Sequence, residues 1–259
     1  TEVELPRADR PIPLKIPVIS ANMDTITGGD MAIAMAKLGG LGILHRFMSI
    51  EANVSEFRRA RAFGPVAVSI GVSGDAMERA EALVAAGAEI LCVDVAHGHS
   101  KMVNQTVRGL REKYGDSLCI IAGNVASYAG ADYLAAAGAD IIKVGIGPGS
   151  VCTTRIKTGF GVPQLTAILD CRKVDRPIIA DGGIRVPGDA VKALAAGAAY
   201  IMLGGMLAGT EETPGARVGK IGPDGKETFV KVFRGMASRA AQEDFMGAMA
   251  DWKTAEGIS

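Results

Sequence analysis

The run Gly145-Ile146-Gly147-Pro148-Gly149-Ser150-Val151-Cys152-Thr153-Thr154-Arg155 has the residue types for covalent chemistry on a bound anion. Glycine takes positive φ and lets backbone pass close to a ligand. Ser150 and the loop N–H groups offer donors to a phosphate. Cys152 beside such a cradle has the character of a nucleophile, with the thiolate as its competent form. The plainer account is a Gly-rich turn around an inert core thiol, which is how free cysteines mostly behave. The density of turn residues and hydroxyls, with Arg155 close behind, favours the nucleophile.

Other polar residues stand at the ends of apolar runs. They are Asn22-Met23-Asp24, His45-Arg46, Asp94 with His97 and His99, Asn124, Asp181-Gly182-Gly183 and Gly204-Gly205. Singly, each has an ordinary explanation. Asp24 fits a helix N-cap, Asp181 a turn or cap, and His97 and His99 a solvated loop. Their shared placement favours a common site. Ser150, Gly182-Gly183 and Gly204-Gly205 could surround one phosphate, and Asp181 could accept bonds from ribose hydroxyls.

The elements that must position these residues repeat along the chain. Gly39, Gly87, Gly138 and Gly197 each close a helical stretch just ahead of an apolar run, as a left-handed helix end requires. A βα module takes roughly 30 residues, so successive glycines stand about two modules apart. The apolar runs are Ile16 to Ser20, Leu41 to Leu44, Val66 to Ile70, Ile90 to Val93, Leu118 to Ala122, Ile141 to Val144, Pro177 to Ala180 and Tyr200 to Leu203. Helical spacing marks Gly29 to Leu38, Ala76 to Ala86, Lys101 to Tyr114, Tyr128 to Ala137 and Ala190 to Ala196. Eight such units predict an α/β protein, a (β/α)8 or TIM barrel with its chemistry at the strand C-terminal ends. An open doubly wound sheet is the alternative, but no G-x-G-x-x-G follows the first strand.

Composition narrows the class. The 259 residues are 48% hydrophobic, enough for one large core, and 28 basic residues balance 28 acidic ones. Nothing in that balance calls for nucleic acid or another polyanion. Cys92, Cys119 and Cys171 lie in apolar runs without metal-ligand spacing and read as core thiols of a reducing, cytoplasmic setting. No apolar run approaches the length of a membrane span. After Leu203 the pattern changes. Gly222-Pro223-Asp224-Gly225 predicts a hairpin turn with Val230 to Phe233 as return strand. The segment from Ala237 to Ser259 is expected to form an active-site flap, with a disordered tail as the competing account.

The Cys152 run resembles the catalytic loop of the IMP dehydrogenase/GMP reductase family, and the similarity extends along nearly the whole chain. The resemblance implies that Cys152 attacks carbon 2 of GMP or IMP, with Thr154 and Glu256 relaying protons. It implies substrate contacts from Ser150, Asp181, Gly182, Gly183, Gly204, Gly205, Gly235, Met236, Ala237, Lys253 and Gly257. NADP(H) contacts are implied for Arg46, Asp94, Val95, Ala96, Ile146, Gly147, Trp252 and Lys253. It also implies a monovalent cation, K+, on carbonyls of Gly147, Gly149 and Cys152, and a homotetramer.

Within the family, Ala21-Asn22-Met23-Asp24-Thr25, Asp94-Val95-Ala96, Lys157-Thr158-Gly159, Gly204-Gly205-Met206-Leu207-Ala208-Gly209 and Asp251-Trp252-Lys253-Thr254-Ala255-Glu256-Gly257 resemble the reductases. The dehydrogenases' Arg-Tyr flap pair does not occur. His97-Gly98-His99-Ser100, Gly39-Gly40-Leu41-Gly42-Ile43 and Met48-Ser49-Ile50-Glu51 resemble bacterial dehydrogenases instead. The expectation is an NADPH-dependent GMP reductase, with IMP dehydrogenase as the alternative. A nucleotide-binding sensor is a third reading, although binding alone needs no nucleophile. Residues 1–259 are expected to form one catalytic domain. No regulatory insertion is expected near Arg59 to Gly64, and the barrel's closing helix is expected to be missing. The alternative is that Glu243 to Lys253 is that helix.

Overall fold

The computed structural model describes residues 2–7, 9–221, 227–246 and 255–259. Eight parallel strands close into a barrel: Val18–Ser20, Leu41–Leu44, Val66–Ile70, Ile90–Asp94, Cys119–Val125, Ile141–Val144, Ile178–Asp181 and Tyr200–Leu203. The eighth strand pairs back onto the first, Ile201 with Val18 and Leu203 with Ser20. The fold is a TIM barrel.

Strand alternation builds two cores. Ile90 and Cys92 point into the barrel, where they join Ile19, Ile43, Ile121, Ile141 and Ile179. Leu91 and Val93 point outward and pack under the helices with Val68, Ile120 and Ile142. Successive side chains leave a strand on opposite faces. With both faces buried, such strands read as unbroken apolar runs rather than alternating ones. An antiparallel pair, Val3–Leu5 with Ile12–Leu14, adds Leu5 and Leu14 to the inner core. The Tyr200 hydroxyl donates to the Glu4 carbonyl there.

Helices Gly29–Leu38, Ile50–Arg61, Ala76–Ala85, Lys101–Tyr114, Tyr128–Ala137, Gln164–Cys171 and Pro187–Ala195 surround the strands. Ser49, Ser100 and Ser127 accept a backbone N–H three residues on, which caps three of them. Gly39 and Gly138 end theirs in the left-handed conformation, at φ +83° and +108°.

The differences from the sequence reading are local. The first strand starts at Val18 rather than Ile16, and the fifth runs on to Val125 rather than Ala122. Pro187 opens the helix that was expected from Ala190, as proline favours the first turn. Helix Ile50–Arg61, hidden by its charge, and helix Gln164–Cys171 were not anticipated. In the hairpin, Val218–Ile221 pairs with Glu227–Val230, not with Val230 to Phe233. The pairing of Val218 with Val230 ends the ladder and leaves Phe233 to line a cavity. The expected turn 222–225 lies outside the described residues, as does the far end of the proposed closing helix. Helix Arg239–Met246 places Phe245 edge-on against Phe47, in the loop after the second barrel strand, with ring centroids 5.2 Å apart.

Candidate active site

The loop after strand Ile141–Val144 is pinned by close approach. A Cβ on Gly145, at φ +152°, would fall 2.0 Å from the Asp181 carbonyl. No other residue fits there. Farther along, Cys152 N–H donates to Gly149 O at 3.1 Å and tightens the turn around the thiol. Thr154 opens the short helix Thr154–Thr158.

Cys152, Thr154 and Glu256 form one chain of hydrogen bonds. Cys152 Sγ donates to Thr154 Oγ1 at 3.2 Å, and Thr154 Oγ1 donates to Glu256 Oε2 at 2.7 Å. Glu256 is far away in sequence, and backbone bonds hold it there. Its carbonyl accepts from Thr153 N–H at 2.8 Å, and its N–H donates to Ala237 O at 3.0 Å. Ile258 N–H donates to Val151 O, and Gly235 N–H to Ile258 O. The C-terminal ribbon thus lies between the Cys loop and residues 235–238. Gly257 bridges both sides, to Cys152 and to Ser238.

Beside this chain lies a cavity of about 290 Å³. Ser150, Asp181, Gly182, Gly183, Gly204 and Gly205 all line it, as the sequence predicts for a nucleotide monophosphate. Two loops close on each other here. A Cβ on Gly205 would stand 3.0 Å from Ser150 Oγ, and one on Gly182 would stand 3.0 Å from Pro148 Cγ. Arg185 and Phe233 also line the cavity, and sequence reasoning missed both. Arg185 follows the glycines directly, so a cation next to a predicted anion cradle was the available signal.

The flap residues are tethered to the first barrel loop. Arg234 Nε donates to Asp24 Oδ2 at 3.0 Å, and its Nη2 to the same oxygen at 2.5 Å. Arg234 also pairs with Asp244. The Asp24 N–H donates to Met236 Sδ at 3.3 Å, which sets Met236 beside the first strand's loop. The sequence marked Asp24 as a possible cap; its partner is the flap instead.

On the other side of the barrel mouth, Asp94 ends the fourth strand. Burial pushes its carboxyl up most strongly, but Lys143, the Asn22 hydrogen bond and Arg46 together hold it below its ordinary value. Val95 and Ala96 continue from it, with Val95 N–H on Gly123 O at 3.1 Å. Arg46 stacks over Phe47 at 4.8 Å, and its buried Nε has no acceptor among the described residues. An orphaned guanidinium N–H near a carboxylate fits a polar cofactor group. Ile146 and Gly147 lie in the Cys loop instead, where the Ile146 carbonyl accepts from Val162 N–H at 3.4 Å. Trp252 and Lys253 lie outside the described residues. The carbonyl of Gly149 takes the Cys152 N–H with one lone pair, and as a neutral oxygen donor it suits a weakly hydrated monovalent cation.

The remaining candidates separate cleanly. Burial raises the Cys92 and Cys119 thiols and lifts Cys171 to about 12, so all three are inert core thiols. His97 and His99 are exposed, and His99 packs on Tyr133 at 4.9 Å. His45 is buried with its Nδ1 accepting from Phe47 N–H, and burial lowers it to about 4.

With this geometry in view, the comparisons with known proteins are specific. The IMP dehydrogenase / GMP reductase domain model matches residues 2–259. The chain belongs to that family. It is 33% identical to an inosine-5'-monophosphate dehydrogenase of Nitrosopumilus maritimus, over 91% of this chain and 75% of that protein. It is 42% identical to a GMP reductase of Enterobacter sp., over 93% of this chain and 70% of that protein. Among solved structures, an inosine 5' monophosphate dehydrogenase from Legionella pneumophila superposes with a TM-score of 0.82. It is 60% identical and covers 95% of this chain, which spans 74% of it. Family membership makes the protein an oxidoreductase of purine nucleotide metabolism, for which a nicotinamide cofactor is expected. Among the described residues, no helix is long and apolar enough to cross a membrane.

Proposed function

We propose that the protein is a GMP reductase, converting GMP to IMP and ammonia with NADPH. The observation that carries the reading is the Cys152–Thr154–Glu256 chain beside the anion cavity. It supplies a nucleophile and a proton path at one point, next to a cradle for the phosphate. In the free protein the path runs from thiol to carboxylate, so Glu256 can take the thiol proton through Thr154. The thiolate then bonds to carbon 2 of GMP. The same path, run backwards, delivers the proton that the departing amino group needs to leave as ammonia. A Cys152 thioimidate remains. Reduced nicotinamide supplies the hydride for carbon 2, and the C–S bond breaks to release IMP and the thiolate. Asp181 orients the ribose, and Ser150 with the two glycine pairs orients the phosphate.

Arg46 and Asp94 are the residues that would hold the nicotinamide end. The carbonyls of Gly147, Gly149 and Cys152 would hold K+ and stiffen the loop. A homotetramer belongs to the same proposal.

IMP dehydrogenase is the second reading, and the 60% identity to the Legionella enzyme favours it. The two share the covalent adduct and differ in what enters or leaves carbon 2. Nicotinamide absorbance with GMP plus NADPH, and separately with IMP plus NAD, tests both. The expected result is oxidation of NADPH with GMP. Oxidation of IMP to XMP without GMP reduction overturns the proposal, and tight GMP binding without turnover in either assay points to a sensor.

A further inference from the structure

Lys143 breaks the apolar strand Ile141-Ile142-Lys143-Val144, and its side chain is only 3% exposed. A buried ammonium is costly unless its charge is paired and each N–H finds an acceptor. Lysine has three such donors. Here they meet Asp94 Oδ1 at 2.6 Å, Asp181 Oδ2 at 2.9 Å, and Asn124 Oδ1.

The topology makes these contacts informative. Asp94 ends the fourth barrel strand and Asp181 the seventh, and the two strands are not neighbours. Lys143, on the sixth, reaches to both sides across the barrel mouth. Asn124 closes the array. Its Nδ2 donates to Asp181 Oδ2 at 2.8 Å and to Gly145 O at 2.7 Å, where the Cys loop begins. Asn22, from the loop after the first strand, adds a side-chain bond to Asp94. Both donors to Asp181 fall on Oδ2, and its other oxygen has no donor among the described residues. Besides the two carboxylates, the groups facing the array are Arg46, on the Asp94 side, and the Cys92 thiol.

We infer that Lys143 is a positioning residue that locks Asp94 and Asp181 into one frame, so that cofactor and ribose are registered against Cys152. The inference rests on the reading of this site as a purine nucleotide oxidoreductase. It gives Lys143 no contact with substrate; it acts through the two aspartates. The direct consequence is coupling, because a change at Asp94 must be felt at the nucleotide pocket.

The test is calorimetric binding of GMP and of IMP, without cofactor, to the full chain. Lys143→Met leaves two half-buried carboxylates with no cation between them. Losing one partner of a buried charge pair weakens binding by about tenfold or more. Lys143→Met/Asp94→Asn removes the repulsion, and nucleotide affinity should return to within about threefold of wild type. A side chain that merely filled space would not be rescued by an isosteric amide on another strand. Should Lys143→Met fail to fold, Asp94→Asn alone decides. It should shift GMP affinity severalfold although Asp94 lies outside the nucleotide cavity. Wild-type affinity in Lys143→Met, no rescue by the second substitution, or unchanged GMP affinity in Asp94→Asn overturns the inference. Wild-type protein that binds neither nucleotide refutes the underlying functional reading instead.

Discussion

Glu256→Gln is the perturbation that separates proton transfer from architecture. The substitution leaves the backbone of residue 256 bonded to Thr153 and Ala237, so the ribbon stays in place. The amide oxygen can still accept the Thr154 hydroxyl now held at 2.7 Å. What disappears is the capacity to take up and return a proton. Swapping a charged for a neutral acceptor costs about 1 kcal/mol, so GMP affinity should change by no more than about fivefold. A lost general acid costs roughly 10²- to 10⁴-fold in the step it serves. At about 1.36 kcal/mol per tenfold, that is about 2.7–5.4 kcal/mol of barrier, well above the static term. Single-turnover measurements should therefore show deamination slowed at least a hundredfold, on the order of the lower bound, with nearly normal GMP binding. Hydride transfer from IMP to oxidised nicotinamide without ammonia needs the thiol proton removed but no proton delivered to a leaving group, so it should be slowed less than deamination. Alkylation of Cys152 by iodoacetamide at neutral pH should also slow, because Glu256 is the terminus of the thiol's proton path. If both chemical steps fall equally, or if GMP affinity falls as far as turnover, Glu256 only positions the flap and the relay belongs elsewhere.

Cys152→Ala should abolish turnover while GMP still binds by calorimetry, since the cavity is lined by Ser150, Asp181 and the glycine pairs and not by the thiol. Arg234→Met strands a mostly buried Asp24 carboxylate. Breaking such a pair costs about 3 kcal/mol, and the readout is faster proteolytic cleavage within residues 231–259 together with a raised KM for GMP. His45 is held neutral, at about 4 against an ordinary 6.5. The unfolded chain therefore binds its proton first, and stability is full above about pH 6.5 and declines toward pH 4. Thermal melts over that range should show a drop of up to about 3 kcal/mol from this residue, and His45→Asn should flatten the slope.

The barrel was legible because its strands are buried on both faces and punctuated by left-handed glycines. That pattern survives in one dimension. Helix Ile50–Arg61 escaped because it carries two glutamates and three arginines against only Phe57 and Ala60 as buried apolar residues, so the apolar stripe is thin. The Cys152 loop and its place beside a cavity were legible because glycine, serine and cysteine occur together in one loop. Lys143 was not. A lysine inside Ile141-Ile142-Lys143-Val144 looks like a surface interruption until the closed barrel brings Asp94 and Asp181 to it from strands on either side. Arg234 was lost in the same way, since its partner Asp24 is 210 residues away. Charges buried by pairing across the sequence leave no periodic signal, because what makes them affordable is tertiary.

This dependence on tertiary pairing also bears on how one barrel can host two reactions. The Cys loop, the Lys143 array and, apart from Phe233, most of the cavity lining come from barrel strands and the loops that follow them. In the proposed function they serve the covalent adduct that both readings share. The hydrogen-bond chain to Cys152 instead comes from the C-terminal ribbon, through Glu256, and the ribbon is held by a few backbone bonds and the Arg234–Asp24 pair. Changing what that ribbon presents to carbon 2 would alter whether water is activated or ammonia expelled, without disturbing the core. The division of labour follows from energetics. On the proposed function, the adduct-forming groups sit on elements whose burial stabilises the whole fold, whereas Glu256 sits where substitutions cost little stability.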